Sequence, residues 1–240
     1  MDKIILVGFQ GSGKNTVGEY LVEKYGYVGI SFADALKDAV ASIFCWDRNA
    51  LEGNTPESRE WRETIDTWWA NKLDIPEFTP RWAMRNFGTD LMRTYFDKDI
   101  WIHNVERRIR DFGDRKVVVF DGRFPNEIDL ITEMFGGTSI RVKRGDEPEW
   151  WDIALAANTG STTEIGTWEM SERDFAINKL KLMDIHPSEY SWIGHPISIT
   201  LENNGSISEL RLQTDRIMKS NGCHPKEPPF DVWDLLGRAE

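Results

Sequence analysis

Apolar and polar positions follow two patterns along this chain, one typical of buried strands and one typical of helices. Short runs of consecutive apolar residues predict strands. The clearest run, over residues 116–120, is typical of a strand buried on both faces of a parallel sheet. The predicted strands cover residues 4–7, 28–32, 116–120, 139–144 and 196–201.

Helices are predicted where apolar residues recur every three or four positions and where start signals precede them. Thr55 and Thr79 each precede a proline, which places a capping residue before a proline at the first helical position. Ser206 and Glu209 have the spacing of a capping box. The predicted helices cover residues 14–25, 34–44, 56–72, 80–96, 99–111 and 125–135, with a last one after Ser206.

Strands that alternate with helices predict an α/β fold with three layers, in which a parallel sheet has helices on both faces. The 240 residues suffice for a single domain over residues 1–240 that carries insertions. Residues 33–115 are predicted to form a helical insertion. Residues 145–190 break the alternation and are predicted to form a lid-like insertion; the alternative is a surface excursion without a catalytic role.

A glycine-rich turn joins the first strand to the first helix and carries the most specific chemistry of the chain. Gly8, Gly11 and Gly13 allow the backbone to curl so that successive N–H groups face one anion, and Lys14 follows them. This is the arrangement of a phosphate-binding P-loop, in which the helix start adds the positive end of its dipole. The sequence therefore predicts a P-loop NTPase fold and a nucleoside triphosphate ligand.

The loop departs from the usual P-loop pattern at the residue after the lysine. Asn15 stands where Ser or Thr is usual, and Thr16 follows it. The resulting form, Gly-Lys-x-Thr, is similar to that of nucleoside monophosphate kinases of the adenylate kinase type. Thr16 is the predicted Mg²⁺ ligand, directly or through water. The residues predicted to hold the triphosphate are Gly11, Ser12, Gly13, Lys14, Asn15 and Thr16.

Charge and composition exclude several other classes of protein. The net charge of −11 disfavours a nucleic-acid polymer as partner, because surfaces that bind duplexes carry a basic excess. Cys45 and Cys223 lie far apart without metal-type spacing, which fits a reducing compartment. The sequence has no apolar run of about 18 residues and no signal-peptide pattern, so a cytoplasmic protein without a membrane span is expected.

An acid and an arginine follow the strand predicted over residues 116–120. An acid directly after a buried strand occupies the Walker B position, where it holds Mg²⁺ or its water ligands, and Asp121 is in that place. Arg123 follows on the same loop, so this loop can bind the metal through the acid and a phosphate through the arginine. The alternative is a turn in which Asp121 and Arg123 form a structural ion pair.

Further arginines are expected around the transferred phosphate, because phosphoryl transfer needs positive charge around two phosphates. Arg81, Arg85 and Gly88 share one face of the helix predicted over residues 80–96 and permit the close approach of an anion. The alternative is a solvated basic face. The opposite stripe of this helix is predicted to face the core and consists of Ala83, Phe87, Leu91 and Tyr95.

Three more basic residues are weaker candidates. Arg59 lies on the helix predicted over residues 56–72, where the alternative is a helical ion pair with Glu63. Lys37 lies on the helix after the second strand, a region that faces the acceptor in P-loop kinases; the alternative is an ordinary exposed lysine. Arg144, at the end of the strand over residues 139–144, is the candidate for a lid arginine that closes on the transferring phosphate.

Nine short segments follow one another from the P-loop to about Met218. They are residues 51–53 (Leu-Glu-Gly), 58–62 (Ser-Arg-Glu-Trp-Arg), 79–82 (Thr-Pro-Arg-Trp), 88–91 (Gly-Thr-Asp-Leu), 96–101 (Phe-Asp-Lys-Asp-Ile-Trp), 121–127 (Asp-Gly-Arg-Phe-Pro-Asn-Glu), 141–144 (Arg-Val-Lys-Arg), 186–189 (His-Pro-Ser-Glu) and 203–206 (Asn-Asn-Gly-Ser). Each segment is weakly specific alone. Together and in this order they resemble the deoxynucleoside monophosphate kinases of tailed bacteriophages.

This resemblance implies a phosphate transfer from ATP to a deoxynucleoside monophosphate, with Mg²⁺, by a homodimer in the host cytoplasm. It implies that the insertion over residues 33–115 binds the monophosphate. It also implies that the turn from Asn203 to Ser206 lies near the adenine of ATP, with Asn204, Gly205 and Ser206 as its cofactor-binding residues. The implied substrate-binding residues are Leu36, Lys37, Arg59, Arg81, Arg85, Gly88, Trp101, Arg123 and Glu127. The residues expected to act on the transferring phosphate and its metal are Lys14, Arg81, Asp121, Arg123 and Arg144.

Two residues depart from the family pattern. Asn15 stands where some relatives have an acid, and Arg85 stands where a glutamine is expected near the acceptor, which bears on base preference. Two other functions stay open. One is a P-loop kinase of another small phosphorylated acceptor, similar to dephospho-coenzyme A kinase, and the other is a module that hydrolyses ATP slowly as a switch.

Overall fold

Five strands form the central sheet, in the order β2-β3-β1-β4-β5. The computed structural model describes residues 1–160 and 171–226. In it β1 lies parallel to β3 and β4, and β4 lies parallel to β5. The predicted α/β P-loop fold, a parallel sheet with helices on both faces, is confirmed. The strands are β1 (Lys3–Val7), β2 (Val28–Ile30), β3 (Val117–Gly122), β4 (Thr138–Lys143) and β5 (Ile199–Glu202).

Three strand boundaries differ from the prediction by two residues or more. β3 continues for two residues beyond residue 120, to Gly122. β2 ends at Ile30, because the Ser31 N–H donates to the carboxylate of Asp34 at 2.9 Å and so begins the turn into the next helix. β5 begins at Ile199 rather than at Pro196, which has no N–H to donate to the neighbouring strand.

The described residues form eleven α-helices, two π-helical segments and a short 3₁₀ turn at Ala50–Glu52. The predictions over residues 14–25, 34–44 and 99–111 agree with α1, α2 and α6. The helices are α1 (Lys14–Tyr25), α2 (Asp34–Phe44), α3 (Pro56–Glu63), α4 (Thr67–Leu73), α5 (Pro80–Arg85), α6 (Ile100–Phe112), α7 (Pro125–Asp129), α8 (Trp151–Thr159), α9 (Glu172–Leu182), α10 (Pro187–Tyr190) and α11 (Ile207–Ser220).

The chain divides into two compact units, here called unit 1 and unit 2. Unit 1 consists of residues 1–29 and the chain from residue 114 onward, and unit 2 consists of Ile30–Gly113. Unit 2 spans nearly the same residues as the predicted helical insertion over residues 33–115, whose role stays a prediction. In unit 1, α1 and α11 pack on the sheet around a core that includes Leu6, Leu21, Val118, Ile140, Leu201, Leu210 and Met218.

Unit 2 is held together by aromatic side chains. Phe78 is fully buried, and the rings of Phe44 and Trp82 lie 5.2 and 5.4 Å from it. Trp46 and Trp69 pack against the same cluster, and their indole N–H groups donate to Asp66 and to the Phe44 carbonyl. Many of the tryptophans that the sequence contains therefore serve packing in this unit.

The helix predicted over residues 56–72 is broken in two. Thr64 leaves the helical conformation, with ψ at 137°, and ends α3. Asp66 then caps α4 by accepting from the backbone N–H of Trp69 at 3.1 Å, and it also accepts from the indole of Trp46 at 2.8 Å. The second bond is a tertiary contact, which local helix signals do not reveal.

The helix predicted over residues 80–96 is continuous but changes type. After α5 it continues as a π-helix over Asn86–Phe96, which widens the turn and shifts every later side chain around the axis. The prediction that Leu91 and Tyr95 face the core is therefore wrong, since they are 44% and 78% exposed. Gly88 is buried instead.

The predicted lid-like segment over residues 145–190 contains α8, α9 and α10, which belong to unit 1. Residues 161–170 of that segment lie outside the described residues. Residues 227–240 lie outside the described residues as well. They hold most of the apolar residues after Asn221, which the sequence predicts to dock on the same domain or on another subunit. Within residues 1–160 and 171–226, no helix is long and apolar enough to cross a membrane.

Candidate functional site

The turn between β1 and α1 has the backbone that its glycines predict. The φ angles of Gly8, Gly11 and Gly13 are 135°, 78° and 105°, values that side chains disfavour. A Cβ on Gly13 would lie 2.4 Å from the Asn203 amide nitrogen, and a Cβ on Gly8 would lie 2.4 Å from the Val142 carbonyl oxygen. Gly13 caps α1 without a side-chain hydrogen bond, so the first amides of the helix point to an anion site.

Lys14 is folded onto this loop. Its ammonium donates to the carbonyls of Gly8 at 2.6 Å and Phe9 at 2.8 Å. Burial, followed by the positive charge of Arg123, lowers the pKa of Lys14 to about 8, while the charges of Glu189 and Asp121 oppose that shift. Lys14, Asp121, Arg123 and Glu189 therefore form one electrostatic group around the loop.

Asp121 lies in the last part of β3, where the strand has a bulge. The register passes from Ile5 opposite Val119 to Val7 opposite Gly122, so β3 has one more residue than β1 between those pairs. Bulges of this kind redirect a side chain at the end of a strand. The bulge therefore sets the direction in which Asp121 leaves the sheet.

The oxygen atoms that Thr16 and Asp121 offer suit a magnesium ion. Mg²⁺ takes oxygen ligands and retains several waters, so it needs only one or two protein ligands beside phosphate oxygens. Thr16 supplies a hydroxyl and Asp121 a carboxylate, while the Ser12 hydroxyl is buried without a hydrogen-bond partner among the described residues. No group of three or more His, Cys, Asp or Glu residues within that part of the chain could hold a metal by itself.

Arg123 and Glu127 are joined through the backbone of their loop. One carboxylate oxygen of Glu127, which is 4% exposed, accepts from the N–H of Arg123 at 2.8 Å and of Phe124 at 3.1 Å. Glu127 therefore fixes the start of α7 and the position from which Arg123 projects. Its expected contact with substrate stays a prediction.

The Arg123 side chain contacts two residues that were not predicted. Its guanidinium donates to the Glu189 carboxylate at 3.3 Å and to the Ser188 hydroxyl at 3.4 Å, both on α10. Among the described residues, the guanidinium of Arg123 therefore pairs with the carboxylate of Glu189. The only sequence signal for Glu189 was its membership of the segment at residues 186–189.

Asn203 begins the turn expected near the adenine, and its contact with the P-loop was not predicted. It is buried at the end of β5, and its amide donates to the Ser12 carbonyl at 2.8 Å. Its backbone N–H donates to the Lys143 carbonyl at 2.6 Å. The predicted adenine-side residues follow directly: Asn204 accepts from the Gly145 N–H at 2.7 Å, and Ser206 caps α11 beyond Gly205.

Near the end of β4, the side chain of Arg141 is largely buried, whereas that of Arg144 is exposed. Its guanidinium donates to both oxygens of Glu147, at 2.7 and 2.6 Å, and lies 4.6 and 5.0 Å from the ring centres of Trp151 and Trp192. Arg144 is exposed and has no ion pair or hydrogen bond in residues 1–160 and 171–226. Its role as a lid arginine stays a prediction.

Three of the expected acceptor residues meet in unit 2. The indole of Trp101 donates to the Gly88 carbonyl at 3.1 Å, and a Cβ on Gly88 would lie 2.9 Å from Leu36. Lys37 donates to Glu52 at 2.5 Å, and Arg81 forms an ion pair with Glu63.

Several arginines of unit 2 pair with carboxylates of the same unit, among them Arg48, Arg107, Arg108 and Arg110. Arg59 and Arg85 are exposed, and within residues 1–160 and 171–226 Glu63 pairs with Arg81 rather than with Arg59. Arg62 lies against Gly53, and its Nε is buried without a hydrogen-bond partner in the described part of the chain. Burial, followed by the positive charge of Arg81, lowers the pKa of Arg62, while the charges of Glu63 and Glu52 oppose that shift.

Comparison with known proteins gives one sequence relative and several structures of similar fold. No protein-family model matches the chain. A protein of Acanthamoeba polyphaga mimivirus named "Putative deoxynucleotide monophosphate kinase" is 35% identical over 150 residues, which cover 58% of this chain and 72% of the relative.

The solved structures are more distant. Shikimate kinase from Aquifex aeolicus has 13% identity, covers 92% of this chain and 98% of its own, and gives a TM-score of 0.41. Dephospho-CoA kinase from Campylobacter jejuni has 14% identity, covers 91% of this chain and 96% of its own, and gives a TM-score of 0.38. Likenesses this weak carry no information about the acceptor.

Proposed function

This chain belongs to the family of the mimivirus deoxynucleotide monophosphate kinase, and we propose on that basis that it transfers the γ-phosphate of ATP to a deoxynucleoside 5′-monophosphate. The products are ADP and the deoxynucleoside diphosphate. The observation that carries the proposal is the glycine loop that presents Lys14 and the open start of α1, in a chain of that family.

The triphosphate is assigned to unit 1. The backbone N–H groups from Gly11 to Thr16 surround its outer phosphates, as helix starts do in other phosphate sites. Thr16 and Asp121 would hold Mg²⁺, which neutralises phosphate charge when it is bound. Asn204, Gly205 and Ser206 would lie near the adenine, since Asn203 attaches their turn to the Ser12 carbonyl.

The acceptor is assigned to unit 2. Arg59, Arg81 and Arg85 supply positive charge for its phosphate, and Lys37 adds to it. Leu36, Gly88 and Trp101, which lie together, form the part of the site that carries no charge.

The chemical step needs charge neutralisation and alignment more than proton transfer. The acceptor phosphate already has an ionised oxygen that attacks the γ-phosphorus, so no general base is required. Lys14 and Arg123 are fixed donors in unit 1, and a rigid donor stabilises developing charge without reorganisation. Arg81 and Arg144 are the other two residues proposed to stabilise charge on the transferring phosphate.

The test is ADP release from ATP and Mg²⁺ with each of dTMP, dGMP, dCMP and dAMP, against a blank without acceptor. Release that depends on a deoxynucleotide supports the kinase and gives its base preference. Release equal to the blank with all four contradicts the proposal. Dephospho-coenzyme A and modified deoxynucleotides would then separate another small-molecule kinase from an ATP-hydrolysing switch.

Three further properties are proposed from the resemblance to phage kinases. They are an origin in a tailed bacteriophage, a location in the host cytoplasm and a homodimeric assembly. Sedimentation of the purified protein tests the last of these directly.

A further inference from the structure

The short helix α10 meets the proposed site of phosphate transfer through one side chain. Glu189 accepts from the Arg123 guanidinium at 3.3 Å, and Ser188 accepts from the same group at 3.4 Å. Arg123 and Glu189 are 48% and 34% exposed. An ion pair with that exposure contributes little to folding stability, so stability alone does not account for it.

The backbone that carries Glu189 is firmly anchored. The indole of Trp192 donates to the Glu189 carbonyl at 3.0 Å, and its ring lies 5.2 Å from that of Phe9 in the P-loop. Asn158 of α8 donates to the carbonyls of Tyr190 and Ile193, at 2.8 and 2.7 Å. The carboxylate of Glu189 is therefore presented from a fixed point that is attached to the P-loop itself.

The start of α10 is fixed as well. His186 caps the helix, accepting from the Ser188 N–H at 3.2 Å, and its ring nitrogen lies 2.8 Å from the Ser188 hydroxyl. Both residues that contact Arg123 thus have defined positions. Arg123 itself projects from a loop that Glu127 holds from the other side.

A carboxylate near a triphosphate site is unfavourable for ATP binding, because like charges repel. Glu189 contacts Arg123, which is taken to contact the transferred phosphate, and its charge also acts on Lys14. A residue that weakens substrate binding needs a compensating role in the reaction. Orientation of a flexible arginine is such a role, since its long side chain has many rotamers to lose.

We propose that Glu189 is a positioning residue, which holds the Arg123 guanidinium in place at the end of β3 for phosphate transfer. This inference rests on the proposed function, because Arg123 is taken to contact the transferred phosphate. Glu189 does not touch the substrate; it acts through Arg123. Trp192 contacts both Phe9 of the P-loop and the Glu189 carbonyl, so the position of Arg123 is fixed relative to the P-loop.

A double-mutant cycle tests this role with Glu189→Ala, Arg123→Ala and the double variant. Loss of Glu189 is expected to lower kcat about tenfold, because even small misplacement of a reacting group is costly. ATP should bind to Glu189→Ala at least as tightly as to the wild type, since a negative charge is removed. In the Arg123→Ala background the same change should leave kcat unaltered, because the two residues act as one unit.

Glu172→Gln is the matched control, since Glu172 is an exposed acid on α9 and the acid that pairs with Arg123 is Glu189. Glu189→Gln replaces Glu189→Ala if the alanine variant does not fold. Additive losses of kcat in the cycle, or weaker ATP binding by Glu189→Ala, would overturn the inference. If the wild type shows no turnover that depends on acceptor, the proposed function fails and this inference fails with it. If the wild type turns over and the losses of kcat are additive, only the inference is overturned.

Discussion

Replacement of Gly13 by alanine should disturb the P-loop far more than replacement of Gly11. Both glycines have positive φ angles, 105° and 78°, so alanine is strained at either position by about 1–3 kcal/mol. The difference lies in the surroundings. A Cβ on Gly11 meets nothing within 4 Å, whereas a Cβ on Gly13 lies 2.4 Å from the Asn203 amide nitrogen.

That amide cannot move without loss, because Asn203 is buried and donates to the Ser12 carbonyl at 2.8 Å. Breaking the bond leaves a buried donor unsatisfied, which costs about 1–3 kcal/mol. Gly13→Ala should therefore lower the free energy of unfolding by about that much more than Gly11→Ala. Urea denaturation of the two variants without nucleotide measures the difference.

The same assay measures the effect of removing the Asn203 amide. In an Asn203→Ala background the clash is absent, so Gly13→Ala should destabilise the protein only by the strain that Gly11→Ala also causes. Equal destabilisation by Gly11→Ala and Gly13→Ala in the wild-type background would refute the argument, and so would an undiminished effect of Gly13→Ala beside Asn203→Ala.

Three other predictions concern the site and the fold. Lys14→Ala should remove most turnover while the thermal midpoint is nearly unchanged; unchanged turnover would contradict a P-loop role. Arg81→Ala should raise the acceptor KM far more than the ATP KM in steady-state assays, with the exposed Arg107→Ala as control, and an equal rise in both would count against it. Burial alone would raise the pKa of Asp215, but hydrogen bonds from Lys24, Tyr25 and Tyr20 outweigh it and lower that pKa. Asp215→Asn should therefore destabilise the protein by about 1–2 kcal/mol at pH 7. The deficit should begin to shrink as pH falls below about 4, where the carboxylate of the unfolded state protonates, and it should disappear only at the lower pH at which the folded-state carboxylate protonates as well. A deficit in urea denaturation that does not shrink at all between about pH 5 and pH 3 would show that charge is not its cause.

The parts of the fold that the sequence predicts are those that consecutive residues determine. The apolar run over residues 116–120 defines β3, and the spacing of Gly8, Gly11 and Gly13 before Lys14 defines the P-loop and the start of α1. Both depend on neighbours within one short segment. Periodicity and caps also located α2 and α6 within a residue or two.

The parts that the sequence did not predict depend on distant partners. Asn203 reaches Ser12 across 191 positions, and Glu189 reaches Arg123 across 66, so neither contact has a local signal. The break at Thr64 involves the hydrogen bond from the Trp46 indole to Asp66, which is a tertiary contact. The π-helix from Asn86 moves Leu91 and Tyr95 away from the core, where ordinary α-helical spacing had placed them. The choice of Arg144 rested on its place at a strand end, while the packing of Arg141 between two tryptophans follows from tertiary structure.

The central claim is the transfer of phosphate from ATP to a deoxynucleoside monophosphate. The most direct measurement follows the label from [γ-³²P]ATP in the presence of Mg²⁺ and each of the four deoxynucleoside monophosphates. Label is expected in a deoxynucleoside diphosphate, and Lys14→Ala should abolish its formation. Label that appears only in inorganic phosphate, whatever acceptor is present, would contradict the claim.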